Sequence, residues 1–547
     1  MRENYFVVGE GILTADGHQG RCERPSTEAE LRKFRFSRLG PKGTEVDRAL
    51  LEKVATAMTD VQAVQPVSAD PPVPAGFTYL GQFVDHDLTM DATAKAFGEN
   101  VTVDELLQGR SPALDLDSMY GRGPRDPDDD RFYGPDKVRF KVGLTAAINF
   151  GPGTNVNLNG YDLPRVTQGS KKAERQAALI PDHRNDENLV VAQTHLAFLH
   201  FHNRVVDRLA DRGVPTALLF DTAKDMVVRH YQWMLKTDFL PRVIEKSIVD
   251  DVFADGRRFF EIPAGDGNGN GHYPRIKAGD HPTMPIEFSV AAYRLGHSMV
   301  RAAYDWNRIF SGGGGTLELL FRFSGTSGGF NPGGDPDDQE SGLFERLPTN
   351  WAVDWRRMYD FAAEAGRADL APPAGVNTAQ RIDTLLVDPL SRLPRGAFGG
   401  NGTELPIDLN LAFRNLVRAN MVELASGQEM AGFLGLDALK PEEILTGSDG
   451  AVLDTLTDEE KAAFTTRTPL WFYILREAEL HGGRLTGVGG RLCAEVFHRA
   501  MEGSRISIVR DPAWRPSLGP DANTFRMVDL LLVVFDGRKE LLAPLGD

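Results

Sequence analysis

The chain has 547 residues, 41% hydrophobic and 25% charged, the proportions of a folded protein long enough to bury a large core without covalent staples. Lys and Arg number 61 against 77 Asp and Glu, a formal charge of -16, which argues against a nucleic-acid groove or an anionic membrane surface as main partner. The only cysteines are Cys22 and Cys493, which excludes a disulfide framework and a Cys-rich metal site.

The start, Met1-Arg2-Glu3-Asn4-Tyr5-Phe6-Val7-Val8-Gly9-Glu10, has no secretory h-region. No run of about 18 apolar residues occurs, so no membrane span is expected. The chain reads as cytoplasmic, or as exported without a cleaved signal. Residues 1–65 read as an arm followed by one helix, Val46–Val61, with Leu50, Leu51, Val54 and Met58 at helical spacing. Pro66–Phe77 holds four prolines and reads as an extended lead-in. From residue 66 to 547 the chain reads as one domain, since no internal repeat and no composition break divides it. Apolar residues three and four apart predict helices over Leu189–Leu209, Asp221–Leu235, Phe288–Tyr304, Ile407–Leu424 and Val488–Met501. Gly265–Gly271, Gly312–Gly334 and the acidic turn Arg125–Asp130 read as loops. Alternating patterns are scarce, so the expected fold class is mainly α, a single large helical domain with few short strands.

Four short constellations carry polar groups out of keeping with their surroundings. Gly81-Gln82-Phe83-Val84-Asp85-His86-Asp87 sets a His between two carboxylates among Phe77, Tyr79, Leu80, Phe83 and Val84. That is a surface cluster, a divalent-metal site, or an acid/base His with carboxylates directed elsewhere. Ser111-Pro112-Ala113-Leu114-Asp115-Leu116-Asp117-Ser118 offers oxygen at alternate positions. In an extended loop Ser111, Asp115, Asp117 and the Ala113 carbonyl face one cation, and all-oxygen ligation suits Ca²⁺; the plain alternative is a solvated acidic turn.

Pro181-Asp182-His183-Arg184-Asn185-Asp186-Glu187 precedes the helix Leu189–Leu209. Asn185 and Asp186 suit N-capping, whereas Arg184 is a cation where the helix dipole disfavours one. On that helix, His200 and His202 lie about 200° apart and cannot share a metal, so they and His195 read as structural. In Tyr293-Arg294-Leu295-Gly296-His297, Gly296 costs about 1 kcal/mol of helix propensity against Ala, which suggests that something flat or bulky approaches beside His297. A core His that is simply hydrogen-bonded is the alternative.

Taken together and in order, these strings resemble the animal-type haem peroxidases of the peroxidase–cyclooxygenase superfamily. Gln82 to Asp87 resembles the distal-histidine motif, and Leu114 to Gly121 the calcium loop in its bacterial form. Arg184-Asn185-Asp186-Glu187 resembles the catalytic Arg-x-x-Glu, followed by His202-Asn203-Arg204. Tyr293 to His297 resembles the proximal-histidine helix, and Leu411 to Arg418 the segment that supplies its partner. The likeness runs from about Pro72 to Leu532.

The resemblance implies a haem peroxidase that reduces hydrogen peroxide and oxidises halide, thiocyanate or small aromatic donors through a ferryl intermediate. By position, His86 is the distal acid/base with Gln82 beside it, and Arg184 the distal arginine. His297 is the haem-iron ligand, and Asn415 accepts its other ring proton. Arg294 and Arg418 match arginines that hold haem propionates. Asp85 and Glu187 match the carboxylates that ester-link haem b. Asp87, Ser111, Ala113, Asp115 and Asp117 match the calcium ligands. Asn188 replaces the haem-linked Met of the strongly halide-oxidising members, and Arg418-Ala419-Asn420-Met421 departs from the animal Arg-Asp-His-Gly string, which favours a bacterial branch. Two other readings remain: a fatty-acid dioxygenase of the same superfamily, and a haem-free calcium-dependent adhesion or matrix protein.

Overall fold

The computed structural model describes residues 3–7, 11–15, 34–60, 73–93, 95–262, 278, 280–326, 345–393 and 405–547. Among the described residues the strands are short and lie in two-stranded sheets. They are β1 (Glu3–Val7), β2 (Gly11–Ala15), β3 (Phe36–Ser37), β4 (Gly143–Leu144), β5 (Asn159–Asp162), β6 (Met284–Pro285), β7 (Ala303–Tyr304) and β8 (Gly315–Thr316). β1 and β2 make an antiparallel hairpin from Glu3↔Ala15 to Val7↔Gly11, a structure the arm's sequence did not announce. β3 runs parallel to β6, while β4–β5 and β7–β8 are antiparallel.

Helices supply the body, so the mainly α expectation holds. They include α1 (Arg48–Met58), α2 (Gly76–Leu88), α3 (Leu189–Asp211), α4 (Thr216–Met234), α5 (Leu411–Met421), α6 (Leu470–Leu480), α7 (Gly487–Gly503) and α8 (Met527–Val534). α1 starts because the Asp47 side chain accepts from Leu50 N, and it buries Leu50, Leu51, Val54, Ala55 and Met58. That face packs on α5. α2 lies on α3, where the Phe83 and Phe198 rings stack at 4.7 Å. Truncating such a buried ring to Ala costs about 3–5 kcal/mol. α3 pairs with α4 and is covered by α8, which leaves it almost wholly buried. Among the described residues, no helix is long and apolar enough to cross a membrane.

Several boundaries differ from the sequence reading. The helix expected over Phe288–Tyr304 is instead a π turn, Glu287–Ala291, followed by a 3₁₀ run, Ala292–His297, and it is over before β7. Its start is pinned from outside: the buried Glu287 carboxylate accepts from Leu39 N and Gly40 N at 2.9 Å. A Cβ on Gly40 would sit 2.1 Å from Met430 Sδ, so a larger residue there would have to displace the Met430 side chain. Ala291, at φ −129° and ψ −71°, then breaks the helix. Ile407–Leu424 splits into a 3₁₀ turn, Pro406–Leu409, and α5, because the Asn410 side chain caps α5 by accepting from Phe413 N. α4 begins after Pro215, five residues before Asp221. Within Gly312–Gly334, β8 and the helix Leu317–Arg322 form where a loop was expected, since Thr316 caps that helix. Gly265–Gly271, Val61, Pro66–Pro72 and Ser327–Gly334 lie outside the described residues.

Candidate active site

The π and 3₁₀ turns present Arg294, Gly296 and His297 to a cavity of about 920 Å³, mouth included, within the size range of ligand clefts. Asn415 Nδ2 on α5 lies 2.9 Å from His297 Nδ1. With the amide turned so that its oxygen faces the ring, Nδ1–H donates and Nε2 keeps its lone pair. The Trp471 indole lies edge-on to His297 at 6.4 Å and donates to the Arg294 carbonyl at 3.2 Å, so α6 braces this wall.

α2 supplies the opposite wall. Gln82 and Asp85 line the cavity together with Glu187 and Asn188 from the start of α3. The Gln82 amide donates to Glu187 Oε1 and accepts from Asn188 Nδ2, the latter at 2.9 Å. The Asp85 carboxylate accepts from Thr89 Oγ1 at 3.0 Å and lies 3.8 Å from Arg294 Nη1 across the cavity. His86 is fully buried directly behind this wall, with Nε2 3.6 Å from Glu187 Oε1. Its Nδ1 meets Asn185 Oδ1 at 2.9 Å. A carboxamide oxygen only accepts, so Nδ1 carries the proton and Nε2 is the acceptor.

Sequence reading misplaced the roles of this loop. The cap of α3 is Asn188, whose side chain accepts from Val191 N at 2.9 Å. Asn185 instead orients His86, and Asp186 takes the Arg165 guanidinium. Asp182, passed over in the sequence, organises the loop: it accepts from Arg184 N, Nε and Nη2 and from Arg110 Nε and Nη2. Burial works to raise its carboxyl, but Arg184 and Arg110 hold it well below the usual carboxylate range. Arg184 Nη2 also donates to the His86 carbonyl at 3.0 Å, which fixes the distal backbone. This accounts for a cation at that end of the helix. His200 and His202 hydrogen-bond to the Gly160 and Val138 carbonyls, as structural histidines do.

The acidic segment does not form the expected extended loop. Asp115 N bonds back to the Ala113 carbonyl at 3.0 Å, Leu116 takes a left-handed φ of 60°, and a short helix, Asp117–Tyr120, begins. The fold still brings one oxygen each from Asp87, Asp115 and Asp117 within 4.8 Å of one another. Ser111 joins them, its hydroxyl donating to Asp115 at 3.2 Å and its N–H to Asp117 at 3.1 Å. Burial, then repulsion from Asp117 and Asp115, pushes the Asp87 carboxyl well up. Arg418, one turn beyond Asn415 on α5, is buried with its guanidinium over the Phe97 ring at 5.6 Å, and neither it nor Arg184 lines the cavity.

The cavity suits a flat, largely apolar group bearing acids. A Cβ built on Gly296 meets nothing within 4 Å, so the backbone beside His297 leaves an open face. Phe77, Phe239, Phe321, Leu390 and Leu393 line the remainder. A planar porphyrin iron needs just this: one imidazole nitrogen, an apolar slot, and cations such as Arg294 for its carboxylates.

Comparison with known proteins agrees. Residues 97–314 match the family model for the animal haem peroxidases, a span holding the acidic segment, Arg184 and His297 but not α2 or α5. A peroxidase-like protein from Margaritifera margaritifera is 35% identical over 126 residues, 23% of this chain but only 14% of that protein. Peroxidase A from Dictyostelium discoideum shares the fold with a TM-score of 0.57 at 14% identity, over 97% of this chain and 98% of that one. The fatty acid alpha-dioxygenase of Oryza sativa is similar with a TM-score of 0.51 at 13% identity, over 99% and 88%. Residues 97–314 are thus similar to an animal haem peroxidase domain, and nearly the whole chain shares the fold of these two solved structures.

Proposed function

We propose that this chain is a haem-dependent peroxidase that reduces hydrogen peroxide and oxidises a halide, thiocyanate or small aromatic donor. One observation carries the reading: His297, held by Asn415, faces a buried cavity whose other wall is Gln82, Asp85 and Glu187, with His86 behind it. Bound there, haem supplies the redox chemistry, reduction of peroxide by two electrons and their recovery from the donor. His297 would hold it through Nε2, and the Asn415 bond to the other nitrogen raises the ligand's basicity. His86, with Nδ1–H given to Asn185, takes the proton of the near peroxide oxygen at Nε2 and returns it to the leaving oxygen. Arg184, which donates to the His86 carbonyl, would be the cation nearest the negative charge that develops on the leaving oxygen. Asp85 and Glu187, on the cavity wall, would form ester links to haem b and Arg294 would meet a propionate, whereas Arg418 lies off that wall. Asp87, Asp115 and Asp117, with Ser111 and the Ala113 carbonyl, would hold Ca²⁺ and so fix the residue next to His86. Residues 66–547 would form the single catalytic domain, preceded by the arm and helix of residues 1–65, and Arg418-Ala419-Asn420-Met421 supports a bacterial branch.

The second reading is fatty-acid oxygenation, favoured by the likeness to the Oryza sativa enzyme and by Tyr293 on the cavity wall. Tyr293 is, however, committed to structure: its ring stacks on Phe288 at 4.8 Å and its hydroxyl donates to the Gly81 carbonyl at 3.3 Å. The calcium-dependent adhesion reading gives no account of why His86 and His297 should both keep their partners. A steady-state assay with peroxide against iodide, bromide, thiocyanate and guaiacol tests the proposal. Turnover should survive in Tyr293→Phe; oxygen uptake with linoleate that vanishes in that variant would favour the dioxygenase.

A further inference from the structure

A run of nearly parallel rings leads from the surface to the cavity wall. Phe150 is 55% exposed and stacks on Phe310 at 6.2 Å with 13° between planes. Phe310 stacks on the buried Trp351 at 3.9 Å and 17°, and Trp351 on Phe323 at 4.3 Å and 24°. Phe323 follows the helix whose Phe321 lines the cavity, and the next residue, Ser324, donates to the Glu187 carbonyl at 3.1 Å. Isolated exposed apolar residues need no explanation, but this one heads a continuous stack. Arg308 reaches across to the Pro152 carbonyl at 2.5 Å, which sets a cation between the loops that carry Phe150 and Phe310.

We propose that this stack is a second oxidation site, where planar anionic aromatic donors dock on Phe150 beside Arg308 and give up an electron through Trp351. The inference rests on the peroxidase reading above, since the oxidant is the same hydrogen peroxide. Of the stacked rings only the indole is readily oxidised; the Phe rings hold the donor in line and shorten each tunnelling step. Each phenolic donor releases one electron to Trp351 and one proton to solvent and leaves as a radical. Two donors supply the two electrons that, with two protons, convert one peroxide to two waters. Donors too bulky for the cavity are thereby oxidised without entering it.

The test uses haem-loaded protein and two variants, with a sulfonated aromatic dye as bulky donor and iodide as small one. Trp351→Phe keeps the stack but removes the indole. It should lower kcat for the dye at least tenfold, leave iodide turnover within about twofold, and abolish a tryptophanyl radical signal seen by electron paramagnetic resonance after peroxide. Phe150→Asp, a surface change, should leave that radical intact but raise the dye's KM and weaken its binding, measured by calorimetry without peroxide. Unchanged dye turnover in Trp351→Phe, or unchanged dye binding in Phe150→Asp, overturns the proposal. Wild-type protein that oxidises iodide but not the dye refutes this site alone. Wild-type protein inert to peroxide and both donors refutes the peroxidase reading and this inference with it.

Discussion

Asn185 decides which nitrogen of His86 can act as a base. Its Oδ1 lies 2.9 Å from Nδ1 in a fully buried setting. Removing that acceptor leaves a buried donor unsatisfied, a cost of about 1–3 kcal/mol, and lets the proton move to Nε2, where it blocks proton uptake. Asn185→Ala should therefore keep haem but react with peroxide at least about tenfold more slowly, while His86→Ala should lose about 10²–10⁴-fold. Stopped-flow spectra measure both, and a wild-type rate in Asn185→Ala would contradict the tautomer argument. At this scale the resemblance named His86, Arg184, Glu187 and His297 with its partner Asn415, but gave no orienting role to Asp182 or Asn185. Asp182, Asn185, Asp186 and Asn188 are all good cap formers within seven residues, and only the three-dimensional path of the loop sorts them. Asp182 betrayed one signal, a carboxylate two residues before an otherwise unexplained Arg.

The segment Glu287–His297 sets the proximal wall. Its residues suit an α-helix, but its start is pinned by long-range bonds of Glu287 to Leu39 and Gly40, which no local pattern encodes, and the helix breaks at Ala291. π and 3₁₀ turns inside helical sequence often mark functional positions. α1, α3 and α7 were legible because each spaces apolar residues three and four apart over several turns, and their ends fell close to the expected ones. Gly296 offers a test at this level. Gly296→Leu projects a side chain into the open face beside His297, so haem uptake should fall at least tenfold while the circular dichroism of the protein stays unchanged. Normal haem binding in that variant would mean that the planar group lies elsewhere.

For the whole molecule, the acidic cluster is a joint. Asp87 comes from α2, and Asp115 and Asp117 from the turn and short helix that follow Ser111, so one cation would tie that segment to the distal wall. Calcium at about a hundredfold above its Kd would add about 2.7 kcal/mol to stability. Chelation should lower the unfolding temperature of wild-type protein and slow its peroxide reaction, and should change neither in Asp115→Ala. Calorimetry with and without chelator checks this; equal stability in all four samples would dismiss the ion.

Haem between His297 and the wall of Gln82, Asp85 and Glu187 is tested by titrating haem into the purified chain, wild type and His297→Ala, and following absorption. Wild type should form a one-to-one complex with a sharp Soret band that hydrogen peroxide shifts within the mixing time, and His297→Ala should lose that complex. A His297→Ala protein with the parent's spectrum, or a wild-type chain that binds no haem, would contradict this placement.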